Sequence, residues 1–90
     1  MKIIKINAMW CPGCLISKNI WVEIENDYPN HEYISLDYDL DEDEVEQYNV
    51  GDILPVVILE KDNKEIKRII GEKTKKEILE EVSDILWENL

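Results

Sequence analysis

Two cysteines, Cys11 and Cys14, lie three positions apart in the run Trp10-Cys11-Pro12-Gly13-Cys14, and the chain has no others. Two thiols at this spacing can pass between a dithiol and a disulfide. If a helix begins here, Cys11 lies at its N-terminus, where free backbone N–H groups and partial positive charge favour a thiolate. Because a thiolate is the nucleophile of disulfide exchange, the motif predicts redox chemistry between sulfur atoms.

The length and composition predict one small globular domain that spans residues 1–90. Ninety residues allow a modest core, and a hydrophobic fraction of 44% argues against disorder. The first nine residues include Lys2 and Lys5 and do not form the apolar stretch of a secretory signal, and no run has transmembrane length. We therefore expect a cytoplasmic monomer, in a reducing compartment where such a cysteine pair is more often catalytic or metal-binding than structural.

The charge is strongly negative and unevenly placed. The formal net charge is −11, residues 20–59 contain no Lys or Arg, and positions 37–46 hold seven carboxylates. Such a field repels nucleic acids and anionic membranes and favours partners with a basic docking surface. We expect neither nucleic acid nor membrane among the partners, and we interpret the 37–46 run as a solvated face that maintains solubility.

The hydrophobic pattern predicts the element order β-α-β-α-β-β-α, with the last two strands forming a hairpin. Pro12 suits the first turn of a helix, Asp41 with Glu44 resembles a capping arrangement, and Thr74 with Glu77 forms a capping box. Strands that alternate with helices pair in parallel, and the hairpin adds antiparallel strands. The predicted elements are strand 2–7, helix 12–28, strand 32–38, a short helix after 41, strand 55–60, strand 65–70 and a helix from 74.

The same pattern predicts which side chains are buried. Helical spacing places several apolar residues of the first helix on one face, with Trp21 alongside. We expect His31 at the surface of a turn. For Trp87 we expect packing at an edge of the fold, the alternative being an exposed side chain that marks a contact surface. The predicted buried residues of the first helix are Leu15, Ile16, Ile20 and Ile24.

Taken together, these features resemble the thioredoxin superfamily. A Trp precedes a CPGC motif after the first strand, Leu54-Pro55 opens the third strand, and Gly71 and a terminal helix follow the hairpin. The resemblance covers the whole chain and points to the compact, glutaredoxin-sized members. It implies an α/β thioredoxin fold in its minimal form, a four-stranded mixed sheet flanked by helices.

The resemblance also implies a reaction. Cys11 would attack a disulfide of a substrate protein and form a mixed disulfide, which Cys14 would then displace. The redox-active disulfide of these two cysteines would be the working group, with no bound cofactor and no metal. A flavin-dependent donor similar to thioredoxin reductase would restore the dithiol.

Four further residues receive roles from the resemblance. Trp10 would cover the disulfide and offer an apolar contact to the substrate. Pro55 would be the cis-proline of the family, and the backbone of Leu54 would pair with the substrate chain. Gly71 would allow close backbone approach beside the site.

The sequence departs from the family pattern at two points. Pro12-Gly13 reverses the Gly-Pro usual in thioredoxins, and this dipeptide is one determinant of the reduction potential. Lys5 stands six residues before the first cysteine, where many thioredoxins have a buried acid. Lys5 would either approach the sulfurs and stabilise a thiolate or, as we expect, extend to water. Lys18 is likewise expected to be a surface charge rather than an aid to the thiolate.

Two other functions compete with protein-disulfide reduction. Met9-x-Cys11-x-x-Cys14 satisfies the loop of small copper(I) chaperones, whose order β-α-β-β-α-β differs from the one predicted here. A structural zinc site is disfavoured, because His31 is the only other strong ligand and lies far along the chain.

The second function that competes with protein-disulfide reduction is that of a glutathione-linked glutaredoxin. Glutaredoxins share a Thr/Ser-Val-Pro pattern and basic residues that bind the carboxylates of glutathione, which is a tripeptide. Here the corresponding run is Ile53-Leu54-Pro55 in acidic surroundings, which offers little to an anion. A protein disulfide is therefore the expected substrate.

Overall fold

The computed structural model describes residues 1–89, which contain four strands and three helices. The order is the predicted β-α-β-α-β-β-α, and most boundaries agree within one or two residues. The elements are β1 (Lys2–Asn7), α1 (Pro12–Asp27), β2 (Glu32–Asp37), α2 (Glu42–Glu46), β3 (Val56–Lys61), β4 (Lys64–Ile70) and α3 (Lys75–Glu88).

The four strands form one mixed sheet in the order β2-β1-β3-β4. β1 pairs in parallel with β2 and antiparallel with β3, and β3 pairs antiparallel with β4. The hairpin turn places Asp62 and Asn63 at φ values of 54° and 65°, the left-handed pair that two-residue hairpins require. The predicted four-stranded mixed sheet is confirmed.

Side chains of β1 alternate between two cores, one on each face of the sheet. Ile3 points to the core that includes residues of α1 and α3, whereas Ile4 and Ile6 point to the core beside α2. Val56–Leu59 of β3 are all buried, which explains their uninterrupted apolar run. With both faces of β1 covered, the end of that strand is held in a fixed place.

The two predicted capping arrangements have different outcomes. Thr74 and Glu77 form the capping box of α3, with reciprocal side-chain–backbone hydrogen bonds of 3.0 and 3.1 Å. Asp41 precedes α2 as expected, but its carboxylate does not cap that helix. It accepts a hydrogen bond from the Asp37 N–H at 2.7 Å instead, so this capping prediction is wrong because the loop before α2 uses the carboxylate.

The predicted buried face of α1 is partly wrong. Leu15 is 68% exposed and Ile16 is also exposed, although Ile24 is buried as expected and Ile20 is half-buried. The buried stripe combines small and large residues at helical spacing, and those residues face the sheet. Its members are Cys14, Ser17, Trp21 and Ile24.

Two predictions for aromatic side chains are also wrong. His31 is only 7% exposed, and its Nε2–H donates to the Leu86 carbonyl at 2.9 Å. The reason is that the last carbonyls of α3 lack partners within the helix, and the turn after α1 packs beneath them. Trp87, expected to pack at an edge, is 70% exposed.

Contrary to expectation, Lys5 does not extend to water. It is buried on β1, and its Nζ lies 2.8 Å from Oε2 of Glu25 in α1. Glu25 follows Cys14 by eleven residues, about 16 Å along a helix axis at 1.5 Å per residue. The ion pair therefore draws the ammonium toward the C-terminal half of α1.

We predict that Glu25→Gln lowers the free energy of unfolding by about 1–2 kcal/mol, because it leaves the buried Lys5 ammonium without its carboxylate. Lys5→Met, which removes the charge and keeps the length, should cost less. Urea denaturation followed by tryptophan fluorescence measures both changes.

The matched control is Glu23→Gln, at an exposed carboxylate that pairs with Lys75 on the protein surface. Its effect should stay within about 0.5 kcal/mol. Equal losses for the Glu23 and Glu25 variants would contradict the assigned importance of the buried pair.

Candidate active site

Cys11 is the N-cap residue of α1. Its N–H donates to the Ala8 carbonyl at 3.2 Å, which closes a turn after β1, and its backbone is extended at φ −100° and ψ 109°. Pro12 follows at the first helical position, where a missing N–H costs nothing. The Cys14 N–H donates both to the Cys11 carbonyl at 3.1 Å and to Sγ of Cys11 at 3.2 Å, and the sulfur occupies the place of a capping oxygen.

The two cysteines differ in exposure. Both are free thiols; Cys11 is partly exposed, and Cys14 is 3% exposed. Burial raises the pKa of the Cys14 thiol to about 11, with further contributions from a hydrogen bond and charge repulsion with Cys11. Cys14 thus keeps its proton at neutral pH, while Cys11 is the cysteine that solvent and partners can reach.

Trp10 is tethered to the loop between β2 and α2. Its Nε1–H donates to Oδ2 of Asp39 at 2.7 Å, and its ring meets Tyr38 edge to face with centroids 6.2 Å apart. Oδ1 of Asp37 accepts hydrogen bonds from two backbone N–H groups of the same loop, each at 2.9 Å. Part of the acidic run at positions 37–46 therefore stabilises this loop. The interpretation of the run as a solvated face did not predict that role.

The loop before β3 and the end of β4 meet beside the motif. The Leu54–Pro55 peptide bond is cis, and the Gly71 N–H donates to the Pro55 carbonyl at 2.8 Å. Gly71 has a φ of +89°, a conformation that favours glycine. A Cβ at this position would lie 3.5 Å from Ile53 Cγ2, so Ile53 and Gly71 are neighbours. Pro55 is buried and Leu54 half-buried.

Glu72 connects this pair of loops to the cysteine motif. A Cβ at Gly13 would lie 3.0 Å from Oε2 and 3.3 Å from Cβ of Glu72, so the glutamate lies directly against the motif. Sequence reasoning did not select Glu72, since nothing in the local pattern distinguishes it from the other carboxylates. The structure thereby joins Gly13, Glu72 and Gly71 into one surface beside Cys11.

A cleft of about 610 Å³ runs along α1 behind the motif. Both cysteines, Trp10 and Lys18 line it, and Lys18 is exposed on its wall, as expected for a surface charge. Within residues 1–89, no three His, Cys, Asp or Glu side chains converge in a way that could hold a metal ion. The described chain also ends in a helix, which disagrees with the element order of the copper(I) chaperones.

None of the helices in the described part of the chain combines the length and the apolar character needed to cross a membrane.

We predict that brief treatment of the reduced protein with iodoacetamide alkylates Cys11 at least about tenfold faster than Cys14, because thiol reactivity follows access and thiolate character. Mass spectrometry of proteolytic peptides measures the two rates. Unfolding in urea should abolish the difference, and equal labelling of the native protein would contradict the assigned burial.

Comparison with known proteins identifies the sequence family of this chain. A family model described as Thioredoxin matches residues 1–84. Thioredoxin H5 of Oryza sativa subsp. japonica is 32% identical over 69 residues, which cover 77% of this chain and 50% of the relative. The chain thus spans about half the length of that protein. A thioredoxin of Chlamydia trachomatis is 31% identical over 81 residues, covering 90% of this chain and 78% of the relative.

Solved structures share the fold. Mitochondrial thioredoxin 3 from Saccharomyces cerevisiae, in its oxidized form, aligns with a TM-score of 0.81 at 24% identity, covering 92% of this chain and 76% of that one. A crystal structure of a complex between ferredoxin:thioredoxin reductase and thioredoxin f2 contains a chain with a TM-score of 0.80 at 19% identity, covering 93% and 76%. At these identities the likeness concerns the fold alone.

Proposed function

Because the chain belongs to the thioredoxin family, whose members are thiol–disulfide oxidoreductases, we propose that it reduces disulfide bonds of other proteins with Cys11 and Cys14. The observation that carries this proposal is the pairing of an accessible Cys11 at the N-cap of α1 with a buried Cys14 one turn deeper, joined by the 3.2 Å contact from N–H to sulfur. A hydrogen bond donated to a sulfur stabilises negative charge on it.

In the first step, the Cys11 thiolate attacks one sulfur of the partner's disulfide. A bond forms between Cys11 and that sulfur, and the partner's S–S bond breaks. The partner's second sulfur leaves as a thiolate and takes up a proton. The product is a mixed disulfide between the two proteins.

In the second step, Cys14 gives its proton to solvent and attacks the Cys11 sulfur. The Cys11–Cys14 disulfide forms, and the partner's first sulfur leaves and is protonated. The partner has then gained two electrons and two protons. This chain has lost two electrons, the proton of Cys14, and the proton that Cys11 released to solvent when it became a thiolate. Both steps use only the sulfurs of the two proteins, so the proposed reaction needs no bound cofactor.

We assign substrate contact to the residues that surround Cys11. Trp10 offers an exposed apolar ring, held in place by Asp39. The backbone of Leu54, before the cis bond to Pro55, would pair with the substrate chain, and Gly71 keeps the neighbouring surface free of a side chain. We propose that an extended segment carrying the partner's cysteine passes between these elements, as a protein disulfide would provide.

We further propose that a reductase of the thioredoxin reductase type returns the disulfide to the dithiol. The structural relative in complex with ferredoxin:thioredoxin reductase supports a partner of this kind. The reductase would supply two electrons to the Cys11–Cys14 bond, reversing the oxidation of the second step.

We predict that Cys14→Ser accumulates a mixed disulfide with a disulfide-bonded substrate such as insulin, since no thiol remains to displace it. Cys11→Ser should not do so, because Cys14 is buried. Non-reducing gel electrophoresis and intact-protein mass spectrometry detect the adduct. Equal trapping by both variants would contradict the assigned roles while leaving the fold intact.

We predict that resolution of the mixed disulfide accelerates by about tenfold per pH unit from pH 7 to 9. Below its raised pKa, Cys14 is protonated, and its thiolate fraction rises tenfold with each unit of pH. Burial, the largest cause of the raised pKa, does not depend on Cys11, whereas the hydrogen bond and the charge repulsion from Cys11 are lost when Cys11 is in the mixed disulfide. We expect burial alone to keep the pKa of Cys14 above neutral pH. Stopped-flow tryptophan fluorescence of the preformed adduct measures the rate; a plateau below pH 8 would contradict the prediction.

A further inference from the structure

The surface around Cys11 has an apolar centre and an acidic border. Met9 is 85% exposed, and Trp10 and Ile53 are also largely exposed. Glu72 lies against Gly13, and Asp52 is exposed beside Ile53. The carboxylate of Asp39 accepts the Trp10 N–H, so a third negative charge is held beside the residue that precedes Cys11.

These carboxylates are not neutralised by the basic residues of the described chain. Every ion pair between residues 1 and 89 involves other acids, located on α1, α3 and β4. Three cations lie near the site: Lys5 lines the cleft and pairs with Glu25, Lys18 lies on the cleft wall, and Lys73 is next to Glu72 in the chain. Within residues 1–89, none of them forms an ion pair with the acidic border. The border therefore presents net negative charge to an approaching partner.

We propose that this surface selects substrate disulfides whose cysteine is flanked by Lys or Arg next to an apolar residue, and that Glu72 is a specificity-determining residue. The inference rests on the proposed function and narrows its substrate class. The apolar flank of such a partner covers Met9, Trp10 and Ile53. Its cationic flanks face Glu72, Asp52 and the acidic loop at Asp39.

Charge complementarity explains how this selection operates. Opposite charges on two docking surfaces speed the encounter, and like charges facing each other disfavour it. We assign the largest effect to Glu72, because its carboxylate lies against Gly13, the second residue after Cys11. A partner with acidic flanks would bring like charge to the same place.

The test uses three disulfide-bonded peptides that are identical except for Lys, Gln or Glu on either side of one cysteine. The reduced protein should react with the Lys peptide about tenfold faster than with the Glu peptide at low salt, with the Gln peptide between them. At about 0.5 M NaCl, where the Debye length is only a few ångströms, the ratio should fall toward one.

Glu72→Gln and Asp52→Asn should each reduce this ratio by about twofold or more. The matched controls Glu88→Gln and Asp84→Asn, which remove the same charge from exposed positions on α3, should leave it unchanged. The rate of reduction of the uncharged disulfide of 2-mercaptoethanol measures the intrinsic reactivity of Cys11. Because that molecule carries no charge, the carboxylates around Cys11 should not change its rate.

The possible outcomes separate the two hypotheses. Equal rates with all three peptides, or a ratio that Glu72→Gln and Asp52→Asn leave intact, would overturn the proposed selection while the oxidoreductase function stands. Failure to reduce any of the peptides would overturn the proposed function, and the inference would fall with it.

Discussion

The hydrogen bond from the Cys14 N–H to the Cys11 sulfur is the contact on which the site depends. It exists because α1 begins at Cys11, and α1 begins there because Pro12 suits the first helical position and β1 delivers the chain to that point. β1 is itself fixed between β2 and β3, with apolar residues on both faces. Unwinding of the first turn of α1 would break this contact.

Burial then makes two chemically identical thiols unequal. Cys14 lies on the stripe of α1 that faces the sheet, and desolvation raises its pKa to about 11. Cys11, by contrast, remains partly exposed to solvent. The ammonium of Lys5 pairs with Glu25, a residue about 16 Å along the helix axis from Cys14. In this chain the position where many thioredoxins have a buried acid thus contributes an ion pair that connects strand to helix.

The distribution of charge follows from where the ion pairs form. Arg68 pairs with Glu65, Lys75 pairs with Glu23 and Asp27, and these contacts occupy basic residues away from Cys11. The acidic run at positions 37–46 has two roles, and its composition alone does not distinguish them. Some of its carboxylates organise the loop and hold Trp10, and the remainder give the end of the molecule that carries Cys11 its negative field.

The sequence by itself determined the element order, the hairpin, the capping box at Thr74 and the cysteine pair at the start of a helix, because each is a local pattern of spacing and residue type. Only the tertiary structure decided the contacts between distant segments. The packing angle of α1 exposes Leu15 and buries Ser17, the end of α3 covers His31, and folding carries Glu72 to Gly13. Such contacts depend on how whole elements pack in space, and no local pattern encodes that.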